Sequence, residues 1–385
     1  MKQHTITLLF IVGARPNYMK ACPLYNILKN YYNIKIIHTG QHYDYNMNDV
    51  FFEQLKMPKP DVILKLSNFT KSKILDNFDI NNKKNVIDKL LDIKTQNIGQ
   101  IGEIRDKLIP EIKNINPDLV FVYGDITSTL AGALATKMLN IKLAHIESGL
   151  RSGDLNMPEE INRILTDSLS DYFFVTEASG IINLNKENIY NNVFLVGNTM
   201  IDCLELFKTN FDNNFYKHMM NLQDKNYILF TLHRQSNVDN IEKLSIIMNQ
   251  IYILALNIKI IFVIHPRTKK QIIEYNLINN DSKNIILCDP LGYFDFINLL
   301  KHSNYIITDS GGIQEEAVYF GKLCFTLREN TERPSTLIEN GGTNILIHDL
   351  LNVKKIKLKN YNKLIFNNAS KNILNIVSNY IFNAL

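Results

Sequence analysis

Reactive side chains follow directly on apolar runs at several points of this 385-residue chain. In a doubly wound α/β sheet those are the positions that face a ligand, beyond the carboxyl ends of the strands. In the first half Gly13-Ala14-Arg15-Pro16 and Lys20 follow one run, Gly124-Asp125 a second, and Glu147-Ser148-Gly149-Leu150-Arg151 a third. Asp125, Glu147 and the adjacent pair Glu159-Glu160, with Arg151 and Arg163 close in sequence, form the kind of carboxylate set that suits removal and return of a proton. The plainer assignment of Glu159-Glu160 is a helix cap after Pro158, paired with Arg163. In the second half His233-Arg234, His265-Pro266-Arg267, Asp309-Ser310-Gly311-Gly312 and Arg328 stand in the equivalent places. Ser310-Gly311-Gly312 follows an apolar run and opens a helical one, so free N–H groups and the positive end of the helix dipole lie beside glycines: a cradle for phosphate. Arg15 and Arg333 are cations suited to a diphosphate, and Glu316, one helical turn after Gly312, is spaced to accept the hydroxyls of a ribose. A nucleotide with a diphosphate is the ligand this set favours. His233 suits acid or base work near neutrality. There is no H-E-x-x-H spacing and no G-x-G-x-x-G after the first strand, so neither zinc nor NAD is implied.

The elements that must carry these residues are legible as alternation. Apolar runs at Thr5–Val12, Ile34–Thr39, Leu119–Tyr123, Lys142–Ile146, Tyr172–Val175 and Val193–Val196 are separated by helical-period stretches, which predicts βα units and a parallel sheet. The pattern restarts at Tyr227–Leu232, Ile258–Ile264, Asn284–Cys288, Tyr305–Thr308 and Leu323–Leu327. Two doubly wound halves are therefore expected, divided near the Asn-, Lys- and Asp-rich stretch from Leu204 to Lys225. A surface insertion is expected over about 67–96, with a helical pattern at Val86, Leu90, Leu91 and Ile93. Ile373, Ile376, Val377 and Ile381 mark a terminal helix. Hydrophobic residues make up 45% and charged residues 21%, ordinary globular composition that excludes a disordered or membrane-embedded chain. The net charge of +4 is spread without a basic block, so a nucleic-acid partner is not expected. Four cysteines without C-x-x-C pairing read as reduced thiols of a cytosolic protein. Ile6–Val12 reads as a buried strand and not as a signal peptide.

With these residues in place, the chain resembles the non-hydrolysing UDP-N-acetylglucosamine 2-epimerase family from Gly13 to about Ile347. The resemblance is carried by an ordered set: Gly13-Ala14-Arg15-Pro16 through Lys20, Gln41-His42, Gly124-Asp125, His145 to Arg151, Pro158 to Arg163, His233-Arg234, Asp309 to Glu316 and Thr331-Glu332-Arg333-Pro334. It implies two Rossmann-like domains in a GT-B arrangement, 1–203 and 204–385, with the active site in the cleft between them and the terminal helix free to pack back on the first domain. It implies a cytoplasmic homodimer that acts on a UDP-sugar with no separate cofactor, UDP itself being retained as an intermediate. Family members interconvert UDP-GlcNAc and UDP-ManNAc by eliminating UDP to give 2-acetamidoglucal and adding it back.

Carried over by motif, Asp125, Glu147 and Glu159 are the acid/base and electrostatic carboxylates, and His233 assists near the diphosphate. Which carboxylate removes the proton is left open. Arg15, Ser310, Gly311, Gly312 and Arg333 hold the phosphates, Glu316 the ribose, Phe296 the uracil face, and Lys20 and Arg163 position charge or substrate. Gln41 and His42 match part of a second UDP-GlcNAc site that regulates some members. Ser236 stands where the family usually has Glu, and Ile126 where it has Thr. The rival readings are the same C2 epimerisation on a UDP-2-acetamido-6-deoxyhexose or a UDP-diacetamido-uronate, a hydrolysing relative, a GT-B glycosyltransferase and a UDP-sugar sensor.

Overall fold

The computed structural model describes residues 5–41, 52–67, 85–212, 222–277, 282–355 and 368–383. Two units divide the chain: Met1–Asp202 together with Asn368–Leu385, and Cys203–Asn367. Each is built on one sheet whose strands are all parallel, the α/β doubly wound class that the alternation predicts.

The first unit contains β1 (Thr7–Val12), β2 (Asn33–His38), β3 (Val62–Ile63), β4 (Leu119–Tyr123), β5 (Lys142–Ser148), β6 (Tyr172–Val175) and β7 (Val193–Leu195), in spatial order β3-β2-β1-β4-β5-β6-β7. The chain winds outward from β1 to β3 and then returns to place β4 on the other side of β1. That reversal makes the carboxyl ends of β1 and β4 the switch point, where such sheets bind ligands. Leu8 to Val12 and Leu119 to Tyr123 are almost completely buried, as strands covered on both faces must be. Asn17 stitches the two strand ends together: its Oδ1 accepts the Gly13 N–H at 3.0 Å and its Nδ2 donates to the Tyr123 carbonyl at 3.0 Å.

The second unit repeats the plan with β8 (Tyr227–Phe230), β9 (Lys259–Val263), β10 (Ile285–Cys288), β11 (Tyr305–Thr308), β12 (Cys324–Thr326) and β13 (Asn344–Leu346), in order β10-β9-β8-β11-β12-β13. Its switch point lies between β8 and β11. There His233-Arg234 and Asp309 leave their strands. The helix Gly311–Phe320 begins three residues beyond the end of β11 and stops at Gly321, whose φ of +63° ends it in the left-handed region.

The terminal helix Ala369–Ile376 belongs to the first unit, beside the helix Arg15–Leu28. Asp202 caps it by accepting the Ala369 and Ser370 N–H groups, and the Tyr32 and Ser378 hydroxyls meet at 2.7 Å. Most of the expected insertion over 67–96 lies outside the described residues. The part that is described, from Asn85, enters the helix Asn85–Ile115.

Candidate functional site

In the first unit the functional side chains gather on the turns that follow β4 and β5. Gly124 has a φ of +63°, which favours glycine, and a Cβ there would lie 2.9 Å from Lys20 Nζ and push the lysine aside. Lys20, on the helix Arg15–Leu28, is buried and ion-paired with Glu147. Glu147 is itself buried and has a φ of +73°, a costly backbone conformation for a non-glycine residue, at the point where the β5–β6 register shifts. The expectation that β5 ends at Ile146 is corrected here. The strand runs on to Ser148, and the irregularity at Glu147 is what turns that side chain toward Lys20.

Asp125 is held from the helix Pro158–Leu169. Arg163 Nη2 lies 2.6 Å from its carboxylate, and Asn162 Nδ2 donates to its backbone carbonyl at 2.9 Å. The same guanidinium pairs with Glu160, whose carboxylate also accepts the Ser152 and Gly153 N–H groups at 2.8–3.0 Å. The two adjacent glutamates thus part company. Glu160 is buried and fastens the loop after β5, while Glu159 is half-buried on the first turn, one turn before Arg163 on the same helix face. Pro158 at the start and two acids in the first turn suit the positive end of this helix. Arg15, half-buried, opens the helix Arg15–Leu28 at the end of β1. Gln41 Oε1 accepts both the backbone N–H and the hydroxyl of Ser128, at 2.8 and 2.6 Å, at the start of the helix Thr127–Met138. His42, its expected companion, lies outside the described residues.

In the second unit Asp309 organises the switch point. It is fully buried and accepts the backbone N–H groups of His233 (3.0 Å) and Arg234 (2.8 Å) and Nδ2 of Asn237 (3.2 Å). His233 Nδ1 lies 2.8 Å from it, which leaves Nε2 of this 40%-exposed side chain facing outward. Burial pushes the Asp309 carboxyl up, but the imidazole and the two amides outweigh it and hold the group well below its ordinary value. Asp309 is therefore the fixed acceptor that orients His233.

Ser310 is the N-cap of the helix Gly311–Phe320, with no cap bond from its side chain. A Cβ on Gly311 would collide with Glu332 and Arg333, whereas one on Gly312 would meet nothing within 4 Å. Packing thus excludes a side chain at Gly311, whereas Gly312 borders open space in front of the helix end. Arg333 is buried, with Nε 3.0 Å from Glu315 and a second pair to Glu332. Arg328 Nη2 lies 2.7 Å from Glu332, and Arg234 Nη2 stands 3.9 Å from the same side chain. Three guanidinium groups are thereby gathered around two carboxylates beside the N-terminus of the helix, a net positive cluster suited to an anion. Glu316 is buried; burial, the charge of Glu315 and an opposing Tyr293 hydroxyl together push its carboxyl up to about 8. Phe296 is half-buried on the helix Tyr293–His302 and packed against the core of this unit. Among the described residues no group of three His, Cys, Asp or Glu side chains is placed to hold a metal ion.

Sequence reasoning did not assign Asp309, Glu332, Glu315, Asn17 or His145 a role in the site. Asp309 and Glu332 lie inside motifs already singled out, so their position next to Ser310 and Arg333 was the available signal. Ser236 is exposed on the short helix Gln235–Val238, and Ile126 is the N-cap residue of the helix Thr127–Met138.

A sequence model of the UDP-N-acetylglucosamine 2-epimerase family matches residues 27–380. A Methanocaldococcus jannaschii protein named UDP-N-acetylglucosamine 2-epimerase is 41% identical over 355 residues, covering 89% of this chain and 88% of the relative. A Pseudomonas aeruginosa UDP-2,3-diacetamido-2,3-dideoxy-D-glucuronate 2-epimerase is 36% identical, covering 88% of each chain. Among solved structures, the M. jannaschii UDP-GlcNAc 2-epimerase in complex with UDP-GlcNAc and UDP superposes with a TM-score of 0.83 at 37% identity, over 97% of this chain and 99% of the other.

Proposed function

The chain belongs to the UDP-N-acetylglucosamine 2-epimerase family, and from that premise we propose that it interconverts UDP-GlcNAc and UDP-ManNAc by inverting C2 of the sugar. The observation that carries the reading is Glu147: a buried carboxylate at a φ of +73°, paired with Lys20 beside the turn that presents Asp125. A non-glycine residue held in that conformation costs about 1–3 kcal/mol and persists only where the surroundings enforce it, which is characteristic of reactive sites.

The chemistry follows from the substrate. The C2 proton has no adjacent carbonyl to acidify it, so the bond from C1 to the UDP oxygen must loosen as the proton is removed. A carboxylate takes the C2 proton, and the C–H electron pair becomes the C1–C2 double bond of 2-acetamidoglucal. The C1–O pair leaves on the β-phosphate of UDP. In the return step a β-phosphate oxygen bonds to C1 and a proton is delivered to the opposite face of C2. Asp125, Glu147 and Glu159 supply the acid/base groups and stabilise the positive charge that develops at C1. Lys20 and Arg163 fix the first two by ion pairing. The Gly311 and Gly312 amides, Arg15 and Arg333 hold the diphosphate, Glu316 the ribose and Phe296 the uracil. His233, oriented by Asp309, meets the charge that builds on the leaving oxygen. Retention of UDP between the two steps makes the second one effectively unimolecular. The reaction so written uses no separate cofactor. The reading includes a cytoplasmic homodimer.

The purified full-length protein, incubated separately with UDP-GlcNAc, UDP-ManNAc and UDP-2,3-diacetamido-glucuronate and followed by the anomeric proton signals, tests the substrate. Interconversion of the first two is expected. Turnover of the uronate alone would move the assignment to that sugar, and release of free ManNAc with UDP would contradict the non-hydrolysing reaction.

A further inference from the structure

His145, on β5 two residues before Glu147, is completely buried, and both of its ring nitrogens face oxygen atoms. Nε2 lies 2.8 Å from the Gly124 carbonyl and Nδ1 lies 2.7 Å from Asp167 Oδ1. A carbonyl oxygen only accepts, so Nε2 carries a hydrogen. Asp167 is fully buried on the helix Pro158–Leu169, and its second oxygen takes the Gly149 N–H at 3.0 Å and Arg151 Nη2 at 2.8 Å. A carboxylate receiving an amide and a guanidinium on one oxygen is ionised, and its other oxygen is then an acceptor for Nδ1–H.

We propose that His145 is a buried imidazolium that acts as a positioning residue, bracing the two turns that present Asp125 and Glu147. One N–H fixes the Gly124 carbonyl, immediately before Asp125. The other, through Asp167, fixes the Gly149 amide, two residues beyond Glu147. The three residues between and beside these anchors with left-handed backbone, Gly124 (+63°), Glu147 (+73°) and Gly149 (+78°), are the ones that need holding. A buried charge of this kind survives only when it is fully paired. Here Asp167 offsets His145, and Arg151, which also binds Asp167, is offset by a bidentate pair to Glu187 with both contacts at 2.7 Å. The set has two cations and two anions. Burial pushes the Asp167 carboxyl up, and His145 and Arg151 together bring it below its ordinary value. The Lys20–Glu147 pair lies close to Gly124 and adds one further charge of each sign.

The inference rests on the functional reading above for what the brace serves, and its two parts are tested separately. Ring nitrogen and proton signals of histidine in the full-length, uniformly labelled wild-type chain, assigned through backbone-linked correlations, report protonation directly without a variant. His145 is expected to show both N–H protons, one donated to the Gly124 carbonyl and one to Asp167, at pH 7. A ring with one unprotonated nitrogen at pH 7 would overturn the assignment. For the positioning role, His145→Gln and Asp167→Asn are expected to lower kcat about 10- to 100-fold while KM for the UDP-sugar and Kd for UDP stay within threefold. Near-normal kcat in a folded His145→Gln variant, with Asp125→Asn and Glu147→Gln inactive, would sink the brace but leave the functional reading standing. Near-normal kcat in Asp125→Asn and Glu147→Gln would instead remove the functional reading and the brace with it.

Discussion

Glu316 makes stability depend on pH in a direction opposite to that of most carboxylates. Its folded-state value is pushed up from an ordinary 4.5 to about 8 by burial and by the charge of Glu315. Below pH 4.5 the group is protonated in both folded and unfolded chains and contributes nothing. As the pH rises toward 8 the unfolded chain releases the proton while the folded one keeps it, so folding loses about 1.4 kcal/mol per pH unit across that window. At pH 7.5 the loss reaches on the order of 4 kcal/mol, with relaxation around the buried group expected to reduce it. Glu316→Gln keeps the shape and removes the titration. The thermal midpoint of the C-terminal unit, measured for both proteins at pH 4 and pH 7.5 without nucleotide, should therefore be nearly equal at pH 4 and higher in the variant at pH 7.5. The same variant should bind UDP more weakly, because an amide offers a ribose diol one acceptor oxygen where the carboxyl has two. A difference in midpoint that is the same at both pH values would refute the reasoning.

Replacing the proposed acid/base carboxylates one at a time, Asp125→Asn, Glu147→Gln and Glu159→Gln should each cut turnover about 10²-fold or more with UDP affinity within several-fold; steady-state rates beside UDP titration calorimetry check this. Arg333→Ala should weaken UDP binding by roughly 2 kcal/mol, and Arg333→Lys should restore little of it, because the guanidinium serves Glu315 and Glu332 at once. Equal UDP affinity in Arg333→Ala and wild type would exclude this residue from the phosphate site. Gly124→Ala should destabilise the N-terminal unit by about 1–2 kcal/mol through its left-handed backbone, and should lower turnover by displacing Lys20 from Glu147, measured by denaturant midpoint and rate.

The central strands were legible in the sequence because burial on both faces writes them as unbroken apolar runs; β1, β4, β8 and β11 all stand where those runs fall. The edge strands β3 and β13 were not singled out, whereas the equally short β7 and β12 were, because they sit inside the longer runs Val193–Val196 and Leu323–Leu327. Among the site residues, those following apolar runs were visible by position: Asp125, Glu147, His233 and Ser310. What each one touches was not. The bond from His233 to Asp309 spans 76 positions and that from Arg163 to Asp125 spans 38, and no local pattern encodes either. Adjacent Glu159 and Glu160 could be given one shared reading as a cap, yet only Glu160 takes the Ser152 and Gly153 amides. The distinction depends on where a loop of the folded chain returns to the helix. Glu147 lay at the end of an apolar run, but its positive φ arises from a register shift between β5 and β6 that single-strand periodicity does not contain.

The central claim is that the C2–H bond breaks and reforms while UDP remains bound. Proton NMR of UDP-GlcNAc incubated with the enzyme in deuterated water tests it most directly, through the anomeric signals and the C2 proton together. UDP-ManNAc carrying deuterium at C2 is expected, with the C2 proton of the UDP-GlcNAc pool lost as equilibrium is approached. UDP-ManNAc that retains the original C2 proton would contradict it.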